Sequence, residues 1–96
     1  KLFPAGDMQA NYIKSLKGPF DGTDYVAIGG VDSQNIGSFF RTGFLGAGLG
    51  SNIMPAEAVR ARDWKMGTAW VKKLVAAALD GRAVFEQIRR DKEGEI

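Results

Sequence analysis

Apolar residues along the chain fall into short runs that predict buried strands, each followed by a polar or glycine-rich turn. Residues 1–5 are apolar after the first position and end at a proline, which is typical of the last residues of a strand that begins upstream. Residues 25–28 form a continuous run of aromatic, β-branched and small residues, as expected for a parallel strand buried on both faces. Residues 44–51 predict a second short strand that leads into a glycine turn.

In the segments between these strands, apolar residues recur at the spacing typical of helices. Residues 6–17 carry apolar side chains at helical intervals, with Asp7 as a plausible N-cap. A second helix is predicted after the 25–28 strand, because apolar residues recur at positions 36, 39 and 40. Asp32 or Ser33 can cap its start, and Gly43 is expected to end it.

The C-terminal third of the chain predicts mostly helix. Pro55 precedes one or two helical turns at about residues 56–62. Asp63 is placed to cap a long amphipathic helix, and Gly81 is expected to close it. Residues 82–96 hold one apolar cluster and then become charged, which predicts a short helix followed by frayed chain.

The order strand, helix, strand, helix, strand, helix is typical of the α/β class with parallel strands and right-handed crossovers. A parallel sheet needs cover on both faces, and so few strands cannot provide it. The pattern therefore predicts part of a larger sheet, completed either by residues outside this chain or by another chain.

Composition excludes several kinds of chemistry. The chain has neither cysteine nor histidine, so disulfides, thiolate catalysis and histidine-based general bases are ruled out, together with the commonest metal ligands. The net charge is only +2, and the basic residues are scattered, which does not predict a nucleic-acid interface. No stretch approaches the ~18 apolar residues that a membrane span requires.

Ligands of parallel α/β sheets gather at the C-terminal ends of the strands. Residues 1–4, 28–30 and 49–51 are such ends, and the last two are glycine turns that feed helices. Glycine allows backbone N–H groups to approach an anion, and a helix N-terminus adds partial positive charge. The alternative is that these glycines only permit tight turns. The spacing of Gly46, Gly48 and Gly50 does not fit the dinucleotide-binding motif.

Lys1 is the only basic residue at one of these strand ends. Burial beside Leu2, Phe3 and Pro4 would favour its neutral amine, because desolvation disfavours the charged form. A neutral lysine amine can attack a ketone and form an iminium. The alternative is an ordinary charged lysine without a catalytic role.

Three motifs together resemble one enzyme family. They are the KLFPA run at residues 1–5, AIGGV at residues 27–31, and GLGS at residues 48–51 with Pro55 four residues further on. In order and spacing they are similar to the 2-keto-3-deoxy-6-phosphogluconate aldolase family, which includes 4-hydroxy-2-oxoglutarate aldolases and phosphogalactonate relatives. The resemblance runs from residue 1 to about residue 79.

The resemblance implies a (β/α)8 TIM barrel of which this chain is the C-terminal part. Residues 1–81 would supply the end of the sixth strand and the last two βα units, and residues 82–96 would form a C-terminal extension. The family implies a cytoplasmic homotrimer that acts on small molecules, without a metal ion or another cofactor and without nucleic-acid or membrane partners.

The resemblance also assigns roles to particular residues. Lys1 would form the Schiff base, and Phe3 would line the pocket beside it. Ile28 stands where many phosphogluconate-cleaving members carry threonine, so it would influence which sugar epimer is accepted. The two glycine turns would hold the substrate phosphate through backbone N–H groups and one hydroxyl: Gly29, Gly30, Gly50 and Ser51.

The implied reaction is cleavage of a 2-keto-3-deoxy-6-phospho sugar acid to pyruvate and glyceraldehyde 3-phosphate. The family's general acid–base glutamate and an arginine lie on early strands and have no counterpart here, so this chain by itself is expected to be inactive. Two other functions stay open. One is a phosphate-binding barrel transferase similar to thiamine-phosphate synthase, and the other is a non-catalytic barrel fragment that associates with another chain.

Overall fold

The computed structural model describes residues 1–8, 12, 15 and 22–94. Strands and helices alternate along the described chain, as the apolar pattern predicts, and this confirms the α/β class. The closed barrel stays a prediction. The elements are a 3-10 turn at Ala5–Asp7, β1 at Val26–Ile28, α1 at Ile36–Arg41, β2 at Gly46–Gly48, α2 at Ala56–Arg60 and α3 at Trp64–Gly94.

The sheet is parallel, and β1 lies in its middle. β1 pairs with β2 so that Ala27 stands beside Ala47. On its other side, Leu2 forms a parallel bridge with Ala27, in which the Leu2 N–H donates to Val26 O at 2.9 Å and the Ile28 N–H donates to Leu2 O at 2.9 Å. Three consecutive parts of the chain therefore lie side by side in the same direction.

One face of this sheet is buried beneath the helices. Ala27 is completely buried, and Leu2 and Ala47 pack against the same core. Side chains alternate across a strand, so Val26, Ile28 and their β2 neighbours lie on the opposite face. That face is only half-buried among the described residues. The core is filled mainly by residues of β1, of the segments that flank the two strands, and of α1 and α3. These residues are Tyr25, Ala27, Val31, Ile36, Phe39, Phe44 and Leu74.

Gly43 ends α1 as predicted. Its φ is +106°, a backbone conformation that glycine adopts without the steric cost paid by other residues. The Phe85 ring packs against this glycine, since a Cβ added at Gly43 would lie 3.0 Å from Phe85 Cε2. The chain can then reverse and place Phe44 in the core, where its ring meets that of Phe39 edge to face at 5.1 Å.

The prediction that Gly81 closes the long helix is wrong. α3 begins after Asp63, whose Oδ1 accepts a hydrogen bond from the Met66 N–H at 3.0 Å, but it runs through Gly81 to Gly94. A helical glycine costs only ~1 kcal/mol, and the following residues are good helix formers. Ion pairs from Glu86 to Arg82 and Arg89, at 3.1 and 2.8 Å, add a few tenths of a kcal/mol each. The division into a barrel part, residues 1–81, and an extension, residues 82–96, stays a prediction.

Gly81 is instead the point where α3 crosses α1. It is buried, and a Cβ placed on it would overlap the carbonyl oxygen of Gly37. A Cβ on Gly37 would in turn lie 3.2 Å from Ala77 O. The two helices therefore touch backbone to backbone, which brings α3 close to the sheet.

The predicted helix at residues 6–17 lies largely outside the described residues. Within the described range, no helix is long and apolar enough to span a lipid bilayer.

Candidate functional site

The three predicted strand ends meet at one edge of the sheet. Leu2, Ala27 and Ala47 are in register, so the chain leaves the sheet at the same level after residue 2, after Ile28 and after Gly48. The loop that follows Leu2 contacts the loop that follows β1, where the Gly6 N–H donates to Gly29 O at 2.7 Å. The strand ends that the sequence singled out therefore do come together.

A cavity of about 450 Å³ lies between the two glycine turns. Residues 28–31 line one side and residues 48–52 line the other, so Ile28, Gly29, Gly30, Gly50 and Ser51 all contribute to it. Among the described residues, no charged side chain belongs to this lining. The described lining can attract an anion through backbone N–H groups and through the Ser51 hydroxyl.

Suitable donors are present. Among the described residues, none accepts a hydrogen bond from the backbone N–H of Gly30, Gly50 or Ser51. The dipole of α1 contributes less than the sequence suggested, because α1 begins only at Ile36 and the glycine turn itself lines the cavity. The cavity thus has N–H groups without a described acceptor in both turns, and phosphate-binding loops use N–H groups of this kind to bind anions.

The first turn requires glycine for two reasons. Gly29 and Gly30 have φ values of +85° and +72°, a region that side chains with a Cβ rarely adopt. Gly30 also packs directly on another backbone, because a Cβ added there would lie 3.0 Å from the Cα of Gly6. The conformation and the close packing account for these two glycines without a ligand, so their role in phosphate binding stays a prediction.

Phe3 lies over Gly29. A Cβ built on Gly29 would be 2.5 Å from Phe3 Cε2, so the ring covers the place where a side chain would stand. The Phe3 side chain is nevertheless 69% exposed, and it is not part of the lining of the cavity between the glycine turns. It occupies the rim between Lys1 and the first glycine turn.

Lys1 is exposed, which contradicts the expectation that Leu2, Phe3 and Pro4 bury it. Leu2 faces the core, so alternation along an extended chain places Lys1 on the opposite, half-buried face. Lys1 does not line the cavity between the glycine turns. It does lie on the sheet face that carries Val26 and Ile28.

Sequence reasoning identified Asp32 as a cap but missed the two asparagines that hold the glycine turns. Asn35 donates from Nδ2 to Gly30 O at 2.9 Å, while its Oδ1 accepts from the Asp32 N–H at 2.8 Å. Asp32 Oδ1 accepts from the N–H groups of Gln34 and Asn35, each at 2.9 Å, in the manner of a cap before α1. Asn52 Nδ2 donates to Val31 O at 3.1 Å. In the sequence, an asparagine follows each glycine turn within a few residues, and this pattern was the signal that could have indicated these contacts.

Comparison with known proteins identifies the family of the chain. The family model for KDPG and KHG aldolases matches residues 1–70, which is more than half of the chain and includes all three strand ends. The chain belongs to the KDPG and KHG aldolase family. No solved structure matches it.

A similar curated protein is the 2-dehydro-3-deoxy-6-phosphogalactonate aldolase of Escherichia coli strain K12. The two are 36% identical over 73 residues, which is 75% of this chain and 36% of the relative. The chain thus spans about a third of the length of this aldolase. About two thirds of that aldolase lie outside the match.

Proposed function

We propose that the full-length protein is a class I aldolase that cleaves a 2-keto-3-deoxy-6-phospho sugar acid to pyruvate and glyceraldehyde 3-phosphate. The observation that carries this proposal is the common edge of the sheet, where a lysine-bearing strand end stands next to two glycine turns with a cavity between them. A lysine amine and an anion site on neighbouring strand ends suit a substrate with a ketone at one end and a phosphate at the other.

The spacing along the strands supports this arrangement. Leu2 pairs with Ala27, so Lys1 is level with Val26. Gly29 lies three residues beyond Val26, which corresponds to about 10 Å at ~3.3 Å per residue. An extended sugar acid chain, together with the reach of the lysine side chain, would fill this interval.

Phosphate binding is assigned to the cavity between the turns. The N–H groups of Gly30, Gly50 and Ser51 have no protein acceptor among the described residues, and the Ser51 hydroxyl adds a further donor. A phosphate dianion would accept these hydrogen bonds, each of which is stronger than a neutral one because the acceptor is charged. Gly29, whose backbone N–H also has no acceptor among the described residues, is assigned the same donor role, and its positive φ shapes the turn.

The covalent steps are assigned to Lys1. Its amine would attack the C2 ketone, and loss of water would form an iminium. The C3–C4 bond would then break, with its electron pair passing into the iminium to form an enamine, and glyceraldehyde 3-phosphate would leave. Protonation of the enamine at C3 and hydrolysis of the imine would release pyruvate and restore the amine. The general acid–base group would lie outside this chain.

We assign to Ile28, which lines the cavity, the discrimination between the two substrate epimers. It cannot donate a hydrogen bond to a substrate hydroxyl, whereas threonine at this position could. The similar Escherichia coli protein is named for the phosphogalactonate substrate. We therefore infer that the galactonate epimer is the preferred substrate of the full-length protein.

This function is tested by measuring pyruvate release from both epimers. The full-length protein is mixed with 2-dehydro-3-deoxy-6-phosphogalactonate or with its gluconate epimer, and pyruvate is followed by NADH oxidation with lactate dehydrogenase. We expect release from the galactonate epimer at the higher rate. No pyruvate from either compound would refute the aldolase assignment, and faster cleavage of the gluconate epimer would refute the role of Ile28.

The phosphate assignment predicts a selective effect of Ser51→Ala. Loss of one hydroxyl donor to a charged acceptor should weaken binding of the phosphorylated substrate by ~1–2 kcal/mol, which corresponds to a rise in KM of about 5- to 30-fold. The KM of the unphosphorylated 2-keto-3-deoxy sugar acid should not change. Ser38→Ala, on an exposed face of α1, is the matched control. An equal effect of Ser51→Ala on both substrates would contradict a phosphate contact.

A further inference from the structure

We propose that Asn52 is a positioning residue that holds the second glycine turn at the correct distance from the first, and so sets the width of the phosphate site. This inference rests on the proposed function, because it concerns how the same cavity recognises a phosphate. The observation that supports it is the hydrogen bond from Asn52 Nδ2 to Val31 O at 3.1 Å.

This bond is unusual in the described part of the chain because it joins distant segments. It connects residues 21 positions apart, while every other side-chain hydrogen bond among the described residues spans five positions or fewer. Asn52 and Val31 lie on opposite sides of the cavity. The Asn52 amide is therefore the side-chain contact that ties one wall of the cavity to the other.

Val31 is a firm anchor for this contact. It is 2% exposed and belongs to the hydrophobic core, so its carbonyl is held in place by packing. Among the described residues, no comparable packing supports the turn on the other side. Gly50, Ser51 and Asn52 are all exposed, and the Ile53 N–H to Gly50 O bond at 3.1 Å closes the turn only upon itself.

The first glycine turn is already fixed without Asn52. Its carbonyls are occupied, since Gly29 O accepts from the Gly6 N–H at 2.7 Å and Gly30 O accepts from Asn35 Nδ2 at 2.9 Å. A peptide unit is planar and trans, so a held carbonyl at Gly29 also orients the N–H of Gly30 on the opposite side of the plane. Only the Gly50 and Ser51 donors then depend on Asn52 for their placement.

Donors that must converge on one phosphate lose affinity when their spacing varies. Without the Asn52 amide, the second turn keeps its sequence and its N–H groups but samples a wider range of distances from Gly30. Binding of phosphate then costs additional ordering of the turn. The ketone end of the substrate, about 10 Å away by strand spacing, does not share this cost.

The test uses inorganic phosphate and pyruvate as separate probes of the two ends of the site. Phosphate affinity of the full-length protein is measured by isothermal titration calorimetry, and pyruvate occupancy by the concentration dependence of borohydride trapping. The variants are Asn52→Leu, which has a similar size but no donor, and Asn52→Gln, which restores an amide. Ser38→Ala serves as the control for an exposed polar substitution.

We expect Asn52→Leu to raise the Kd for phosphate about fivefold to tenfold, as for one lost hydrogen bond, with pyruvate trapping unchanged. Asn52→Gln should recover part of the phosphate affinity. An unchanged phosphate Kd in Asn52→Leu would overturn the inference, and so would an equal loss of affinity for phosphate and for pyruvate. Failure of the wild-type protein to bind phosphate would overturn it as well. A wild-type protein that binds phosphate but releases no pyruvate would refute the proposed function, while the comparison of Kd values would still test Asn52.

Discussion

Lys1→Arg in the full-length protein should abolish pyruvate formation, with a loss in kcat on the order of a thousandfold or more. Arginine keeps the positive charge and a similar length, but its guanidinium stays protonated and cannot form an imine. In the wild-type protein, sodium borohydride with pyruvate should add the mass of a reduced pyruvyl group to the peptide that contains Lys1. The variant should show no adduct there.

The matched control for this experiment is Lys72→Arg. Lys72 is exposed on α3, and the same chemical change there should leave both the cleavage rate and the adduct unaffected. An adduct on another lysine would contradict the role of Lys1. Cleavage or another activity that survives Lys1→Arg would favour a phosphate-binding barrel enzyme without an imine, such as a transferase similar to thiamine-phosphate synthase.

The exposure of Lys1 makes this experiment more informative. The Lys1 side chain is exposed among the described residues, whereas a Schiff-base lysine must be held against its substrate. In the proposed enzyme, the cover over this half-buried face of the sheet would come from the remaining strands and from the substrate. We accordingly expect the adduct in the full-length protein and not in the 96-residue chain alone.

Gly81→Ala should lower the free energy of unfolding of the full-length protein by about 2 kcal/mol. The new methyl group would overlap the backbone carbonyl of Gly37. A Cβ has no rotamer by which it could avoid this contact, so the helices must move apart, at a cost typical of overpacking. The better helix propensity of alanine offsets only ~1 kcal/mol of that destabilisation. Separation of α1 from α3 would also loosen the core around Phe39 and Leu74.

Urea denaturation followed by circular dichroism measures this change, with Gly94→Ala as the control on the same helix. A Cβ at Gly94 meets no atom within 4 Å, so that variant should be as stable as wild type or slightly more stable. If Gly81→Ala unfolds at the same urea concentration as wild type, the close crossing of the two helices is not present in solution.

Several features of the site could be predicted because they depend on local chemistry. The β-branched and aromatic run before Gly29 favours a strand, and Gly43 supplies the positive φ that ends α1. The glycine turns were identified at strand ends, and parallel strands bring such ends to one edge. The KLFPA, AIGGV and GLGS motifs then identify the family, which the match over residues 1–70 confirms.

Other features could not be read from neighbouring residues. Gly81 is a helix terminator by its local preference, yet the favourable residues after it and its packing on Gly37 keep it inside α3. The contact from Asn52 to Val31 joins positions 21 residues apart, and nothing in either segment encodes the partner. The burial of Lys1 was expected from its apolar neighbours, but exposure depends on what packs over the sheet.

The amino-acid sequence by itself determined the alternation of strands and helices, the glycines at the strand ends and the family, because each follows from conformational preferences or motifs within a few residues. The tertiary structure alone decided where α3 passes α1, which polar side chains tie the two glycine turns together and that Lys1 is exposed among the described residues. These are properties of atoms brought together from distant positions, and their energies depend on packing that no single segment contains.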